Sequence, residues 1–223
     1  MMKVKAETTP TSYREAELAR TFVELVKGIK DPEVLELGVK QAIPGKTSMH
    51  REWIPHAKGH YGTDFQAGDE VDFVADLHEL STALRKQRKI PKKFDVVISA
   101  AVFEHVLNPF LATEEVSRSM KPGGLFFITV PNCFPIHEFP NDYWRFTIES
   151  LTYLMRQAGL EVIDAAYQSP TDIICADDPN VKNFPSFLMV SCIAKKPEKK
   201  KITLRKVLGR VKRYLTGQEA VKK

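Results

Sequence analysis

No apolar run in the 223-residue chain approaches the roughly 18 residues that a membrane-spanning helix requires. The opening stretch, MMKVKAETTPTSYREAE, lacks the apolar centre of a secretory signal, so export is not expected. Cysteine is scarce: Cys133, Cys175 and Cys192 are an odd number, with no C-x-x-C and no zinc-ligand spacing. No disulfide framework and no metal are expected. All three thiols read as small buried apolar groups in a reduced, cytoplasmic setting.

Positive charge is also scarce over most of the chain, despite the net +5. Residues 195–223 hold 12 of the 33 Lys and Arg but 2 of the 28 Asp and Glu. The other 194 residues carry 21 basic against 26 acidic groups, so the body is mildly acidic. A nucleic-acid surface spread over the body is therefore disfavoured. In the basic tail, Leu204, Val207, Leu208, Val211 and Leu215 share one helical face among Lys and Arg. Such a helix lies on an anionic membrane surface, docks on protein, or stays a solvated extension.

What is present is an alternation. Short apolar runs rich in Val, Ile and Phe occur at 33–37, 60–64, 71–76, 94–100, 124–130, 160–167 and 186–194. They lack the strict polar alternation of half-exposed strands, as strands buried on both faces do. Helical patterns cover Ser12–Lys27, Glu79–Lys89, Pro109–Met120 and Thr147–Ala158, the last with Thr147 as N-cap and Gly159 past its end. KPGG (121–124) reads as a helix stop and turn, and 168–185 as a long helix-poor loop. The expected fold is α/β, a mostly parallel sheet with helices on both faces and an antiparallel edge hairpin at the end.

In such sheets ligands bind at the carboxyl ends of the strands. The first strand ends in Glu36-Leu37-Gly38, the second in Asp64-Phe65, the third in Asp76-Leu77 and the fourth in Ser99-Ala100-Ala101. A carboxylate after the second strand suits two ribose hydroxyls. An acid after the third suits an amino group, and small residues after the fourth leave room for a flat ring. Glu36 lies within an apolar strand, where an unpaired carboxylate is costly, so it needs a partner. Asp64 and Asp76 also fit as solvated turn residues.

The run KFDVVISAAVFEHVLNPFLATEEVSRSMKPGGLFFITVPN (93–132) resembles the central segment of class I S-adenosylmethionine-dependent methyltransferases. The shared features are the Phe-Asp-Val-Val strand, Glu-His-Val, a Glu-x-x-Arg helix (Glu115, Arg118) and Lys-Pro-Gly-Gly before an apolar strand. The resemblance spans about 30 to 195. It implies a Rossmann-like three-layer sandwich with a seven-stranded, mostly parallel sheet and an antiparallel last strand. It divides the chain into an N-terminal helical extension (1–30), the methyltransferase domain (31–195) and the basic tail (196–223).

For the cofactor, S-adenosyl-L-methionine, it implies Glu36 and Gly38 in the first motif and Asp64 at the ribose with Phe65 near the adenine. Asp76 and Leu77 fall at the adenine edge, Ala100 and Ala101 at the methionine portion. The first motif departs from the family: Val39 and Lys40 stand where glycines normally let the backbone approach, as a Cβ at positive φ costs of order 1 kcal/mol. The chain either takes a wider path there or compromises the pocket. Lys40 is a candidate partner for the cofactor's carboxylate.

Candidate bases for an acceptor proton are His105 and His137. His105, with Glu104, equally suits capping the next helix, and His137 equally suits plain exposure. In NDYWRF (141–146), Tyr143 and Arg145 are placed at the substrate, with Trp144 structural. HEFPNDYWRFTIESL (137–151) is similar to a subset of the family associated with sugar or polysaccharide biosynthesis. The reading is a cytoplasmic enzyme methylating a small-molecule or glycan-type acceptor on oxygen, with peripheral contact of its tail to the inner membrane surface left as one of the alternatives above. A catalytically silent binding or scaffold protein of the same fold is the alternative. Nucleic acid as acceptor is disfavoured by the acidic body and by Ser-Ala-Ala-Val where an Asn/Asp-Pro-Pro-Tyr motif would stand.

Overall fold

A computed structural model describes residues 15–40, 49–137, 140–173 and 184–198. Cys175 and nearly all of the basic tail lie outside the described residues. Seven strands form one sheet: β1 (Glu33–Leu37), β2 (Gly59–Asp64), β3 (Phe73–Val74), β4 (Phe94–Ala100), β5 (Met120–Pro131), β6 (Glu161–Ile173) and β7 (Phe184–Lys195). Their order is β3-β2-β1-β4-β5-β7-β6. The first five pair in parallel, and β7 runs antiparallel between β5 and β6.

Successive residues of the central strands serve opposite faces. Val34, Val96, Ile98, Leu125, Phe127 and Ile193 pack under helix α1 (Glu15–Lys27), through its Leu18, Phe22 and Val26. Phe22 is fully buried against Phe127 and Trp53, worth roughly 1.5–3 kcal/mol as a transfer term. Leu35, Leu37, Val97, Phe126 and Ile128 face the other way. There they meet α2 (Leu80–Lys86), α3 (Pro109–Ser119) and α4 (Ile148–Gln157), through side chains such as Leu84, Val116, Leu151 and Leu154. Thr147 caps α4 in a reciprocal pair with Ser150, and Gly159 follows at φ +74°.

Three expectations change. KPGG follows the end of α3 at Ser119, as a helix stop should, but it lies inside β5 as a bulge rather than before the strand. Phe94 pairs with Met120 but Val96 with Leu125, so 121–124 loop out of register, with Gly123 at φ +81°. The 168–185 loop is shorter than its Pro and polar content suggests. Strand pairing continues to Ile173↔Phe184, helped by Tyr167 stacked on Phe187 at 5.2 Å. The third strand shrinks to two residues. Before it Asp72 takes over the pairing, its carboxylate accepting from Gly62 N at 2.7 Å. Of the thiols, Cys192 is buried, which pushes it up to about 12, whereas Cys133 is only half-buried.

Candidate active site

The order of connection reverses between β1 and β4, so their carboxyl ends lie side by side, with Leu37 beside Ser99. Gly38 leaves β1 at φ +71°, and a Cβ there would lie 2.2 Å from Val102 Cγ2. Only glycine fits. The valine after it turns inward: Val39 is fully buried, and a Cβ on Gly62 would meet its Cγ2 at 2.6 Å. Val39 is thus accommodated as core. The rest of the loop, 41–48, lies outside the described residues.

Lys40 continues the rim with its backbone, whose N–H donates to Asp64 Oδ2 at 3.1 Å. Its ammonium bonds the Gln66 side-chain oxygen. The other Asp64 oxygen accepts from Gln66 N at 3.0 Å. Two backbone donors fix a carboxylate that keeps lone pairs for further donors. Phe65 beside it is 68% exposed, a free aromatic face at the rim. Asp76 caps the turn 77–79 and bonds His78 N and Nδ1, while Leu77 is buried beneath. At the end of β4, Ala101 holds φ +52°, a left-handed strain of about 1–2 kcal/mol for a residue with a Cβ. The glycine without room for a Cβ, the fixed carboxylate and the small strand ends fit an adenosyl cofactor.

Glu36 lies in β1 before Gly38, buried as expected, and its bonds run to two histidines. Its carboxylate, 1% exposed, accepts from His50 N at 2.9 Å, from His60 Nε2 at 3.1 Å, and bonds His50 Nδ1. Burial would raise its pKa, but the bonds to His50 and His60 and the charge of His50 outweigh that and lower it. Burial likewise opposes the charged form of His50, yet the bond and charge of Glu36 hold that imidazole above its ordinary value. Glu36 has the partner its burial demanded. What it anchors is the chain returning at His50, so its contribution to the rim is positional.

Beyond β4 the helical turn Phe103–His105 carries the second group. Glu104 is fully buried, and among the described residues neither carboxylate oxygen has a hydrogen-bond partner. Burial pushes its carboxyl up, against its own backbone amide and the charges of His105, His137 and Arg145. The Nε2 atoms of His105 and His137 each lie 3.8 Å from Glu104 Oε1. His105 Nδ1 faces Asn141 O at 2.7 Å and His137 Nδ1 faces Pro135 O at 3.2 Å. A carbonyl only accepts, so both rings carry hydrogen on Nδ1. The two candidate bases therefore converge, 32 positions apart in sequence. Neither Glu104 nor His105 caps α3; Asn108 does, accepting from Leu111 N at 3.1 Å.

Next to this group, Phe134, Ile136, Asp142, Tyr143, Trp144 and Arg145 line an open cleft of about 280 Å³. Arg145 is not free to donate to a ligand. It grips Asp142 with two bonds (2.6 and 2.7 Å), and its remaining N–H groups reach the carbonyls of Phe134, Pro135 and Trp144. The pairing holds the Asp142 carboxyl well below the usual range. Arg145 offers the cleft a flat cationic face. Tyr143 is 43% exposed, its hydroxyl donating to Asn141 Oδ1 at 3.0 Å. Trp144 is mixed: Nε1 donates to Val106 O at 2.9 Å, while 40% of the residue faces solvent.

Residues 11–165 match the model of a methyltransferase domain family. The chain belongs to that family. It is a class I S-adenosylmethionine-dependent methyltransferase by family and by fold. Over 164 residues it is 27% identical to the ubiquinone biosynthesis O-methyltransferase of Pseudomonas aeruginosa, covering 61% of this chain and 68% of that one. Among solved structures, an S-adenosylmethionine-dependent methyltransferase of Mesorhizobium loti superposes with a TM-score of 0.54 at 12% identity. That match covers 83% of this chain and 99% of the other. One from Clostridium acetobutylicum gives 0.52 at 11%, over 86% and 94%. This methyltransferase contains, among its described residues, no helix long and apolar enough to cross a membrane.

Proposed function

We propose that this methyltransferase acts on a hydroxyl oxygen of a small, ring-bearing acceptor, a sugar or a phenol, seated in the cleft beside Glu104, His105 and His137. The observation that carries the reading is that juxtaposition: a cleft with Phe134, Tyr143 and Trp144 on its walls next to two imidazoles whose Nε2 atoms converge on Glu104. Aromatic walls take the faces of rings, and imidazole nitrogens handle hydroxyl protons. The Pseudomonas aeruginosa relative, named an O-methyltransferase, supports oxygen over nitrogen.

On the cofactor side, Asp64 would hold the ribose hydroxyls and Phe65 and Leu77 would flank the adenine, with Asp76 at its edge. Gly38, Ala100 and Ala101 would leave room for the methionine portion, and Lys40 would offer its ammonium to that portion's carboxylate. When bound, S-adenosylmethionine supplies a methyl carbon whose bond to sulfur breaks, the electron pair staying on sulfur, as the acceptor oxygen forms the new bond. The chain's own task is to orient the acceptor oxygen in line and remove its proton.

The test is calorimetry with S-adenosylhomocysteine, followed by turnover against sugars and phenols with the methylated atom located by NMR. Asp64→Ala is expected to weaken S-adenosylhomocysteine binding by about 10- to 100-fold, the loss of one or two charge-assisted hydrogen bonds. A methyl group found on nitrogen, or no heat with the wild type, overturns the reading.

A further inference from the structure

A carboxylate with no exposed surface and no hydrogen-bond partner is costly, of order 1–3 kcal/mol or more, and folded chains retain one only for a reason. Glu104 is such a group, in a chain that elsewhere satisfies a buried glutamate fully. Its surroundings have the form of a ligand set. Its Oε1 lies 3.8 Å from each of the His105 and His137 Nε2 atoms. One ligand atom from each of the three residues lies within 4.8 Å of the others. Both rings give their Nδ1 hydrogens to backbone carbonyls, the outer arrangement that fixes the tautomer and aims the Nε2 lone pair in metal-binding histidines. The His137 ring is further steadied by Asp142, whose Oδ2 lies 3.4 Å from Nδ1 and accepts from the His137 backbone N–H at 2.9 Å. The Arg145 pairing in turn fixes Asp142.

We propose that Glu104, His105 and His137 bind a divalent transition-metal cation of the zinc type, with an open coordination position toward the aromatic cleft. Two imidazoles and one carboxylate are a borderline donor set that suits Zn²⁺ or Co²⁺ better than the all-oxygen ions. Three protein ligands leave a position for an outside oxygen. The cleft lies on that side: Phe134, on its wall, packs edge-on against His137 with ring centres 5.3 Å apart. An acceptor hydroxyl entering the open position loses its proton to solvent more readily, and its oxygen keeps the electron pair that forms the new bond to carbon. This role toward the acceptor rests on the oxygen-transfer reading, with the cation in place of the imidazoles acting on the hydroxyl proton, since their Nε2 lone pairs are then ligands; cation binding does not rest on it. No metal spacing is visible in the sequence because His137 joins from a loop after β5.

The experiment uses the full, untagged chain stripped with a chelator and titrated with Co²⁺, followed by visible absorption, and with Zn²⁺ against a chromophoric competitor. One cation per chain is expected. Glu104→Gln and His137→Ala should each weaken it by at least about 100-fold, the upper end of what losing even an outer partner costs. His56→Ala, at an exposed histidine outside the cluster, should leave binding unchanged. S-adenosylhomocysteine affinity and the unfolding midpoint, measured on the same samples, should be kept in the Glu104 and His137 variants. Equal cation binding by wild type and Glu104→Gln, or none by wild type, overturns the site. Cation binding with turnover indifferent to chelator overturns its role toward the acceptor. A wild type that binds the cation but not S-adenosylhomocysteine overturns the cofactor reading instead.

Discussion

Glu36 and Glu104 are the same residue type, each buried, each with two histidines, one inside β1 and one in the helical turn beyond its neighbour β4. Their surroundings are opposite. Glu36 collects a backbone amide and two imidazoles at hydrogen-bond distance, so its charged form is favoured despite burial. Glu104 has its imidazoles at 3.8 Å, and burial wins. A completed network is a structural joint, while an incomplete one of the same composition is space reserved for something else.

The largest effect separating them is on stability. Glu36→Gln removes the charge His50 and His60 are bonded to and should cost about 3 kcal/mol in urea unfolding. Glu104→Gln should cost nothing or stabilise by about 1 kcal/mol, since it removes a buried carboxylate that makes no hydrogen bond. Equal losses would erase the distinction. A smaller effect belongs to the Glu104 side alone. Arg145→Ala frees Asp142 and the carbonyls of the loop carrying His137, so turnover should fall about tenfold with cofactor affinity kept. Arg145→Lys should not rescue it, because a single ammonium cannot make the two-pronged bond.

The smallest effect is pH dependence on the Glu36 side. Glu36 has a lowered folded pKa, so its stabilisation is present above the ordinary 4.5 and is lost as pH falls through the lower folded value. His50 has a raised one, so its share is present below the ordinary 6.5 and is lost as pH rises through the higher folded value. The advantage of wild type over Glu36→Gln should therefore peak between those limits and shrink on both sides. Urea midpoints from pH 4 to 8 check it, and a flat difference would contradict the ion-pair account.

The periodic parts of the fold were legible in the sequence. Apolar runs located the strands, and Thr147 and Gly159 occupy helix ends where capping chemistry requires such residues. KPGG and 168–173 were not, because pairing to neighbours overrides local turn chemistry there. At the site, the need for a Glu36 partner could be read from its place in an apolar strand. The identity of that partner could not, since His50 and His60 arrive from separate segments. Glu104 read as a capping residue because its histidine neighbour at 105 was visible and the one at 137 was not. Arg145 read as a ligand contact because sequence does not reveal how many of its donors carbonyls have taken.

The position of β7 has a consequence for how the chain is assembled. The last strand among the described residues lies inside the sheet, between β5 and β6. Until Phe184–Lys195 emerges during synthesis, β6 has no neighbour to join and β5 presents Phe126–Val130 as a raw edge. Nucleation among β1, β4 and β5 can proceed early, but closure waits for a long-range contact. The nascent chain is thus most prone to sticking to its copies just before β7 is complete.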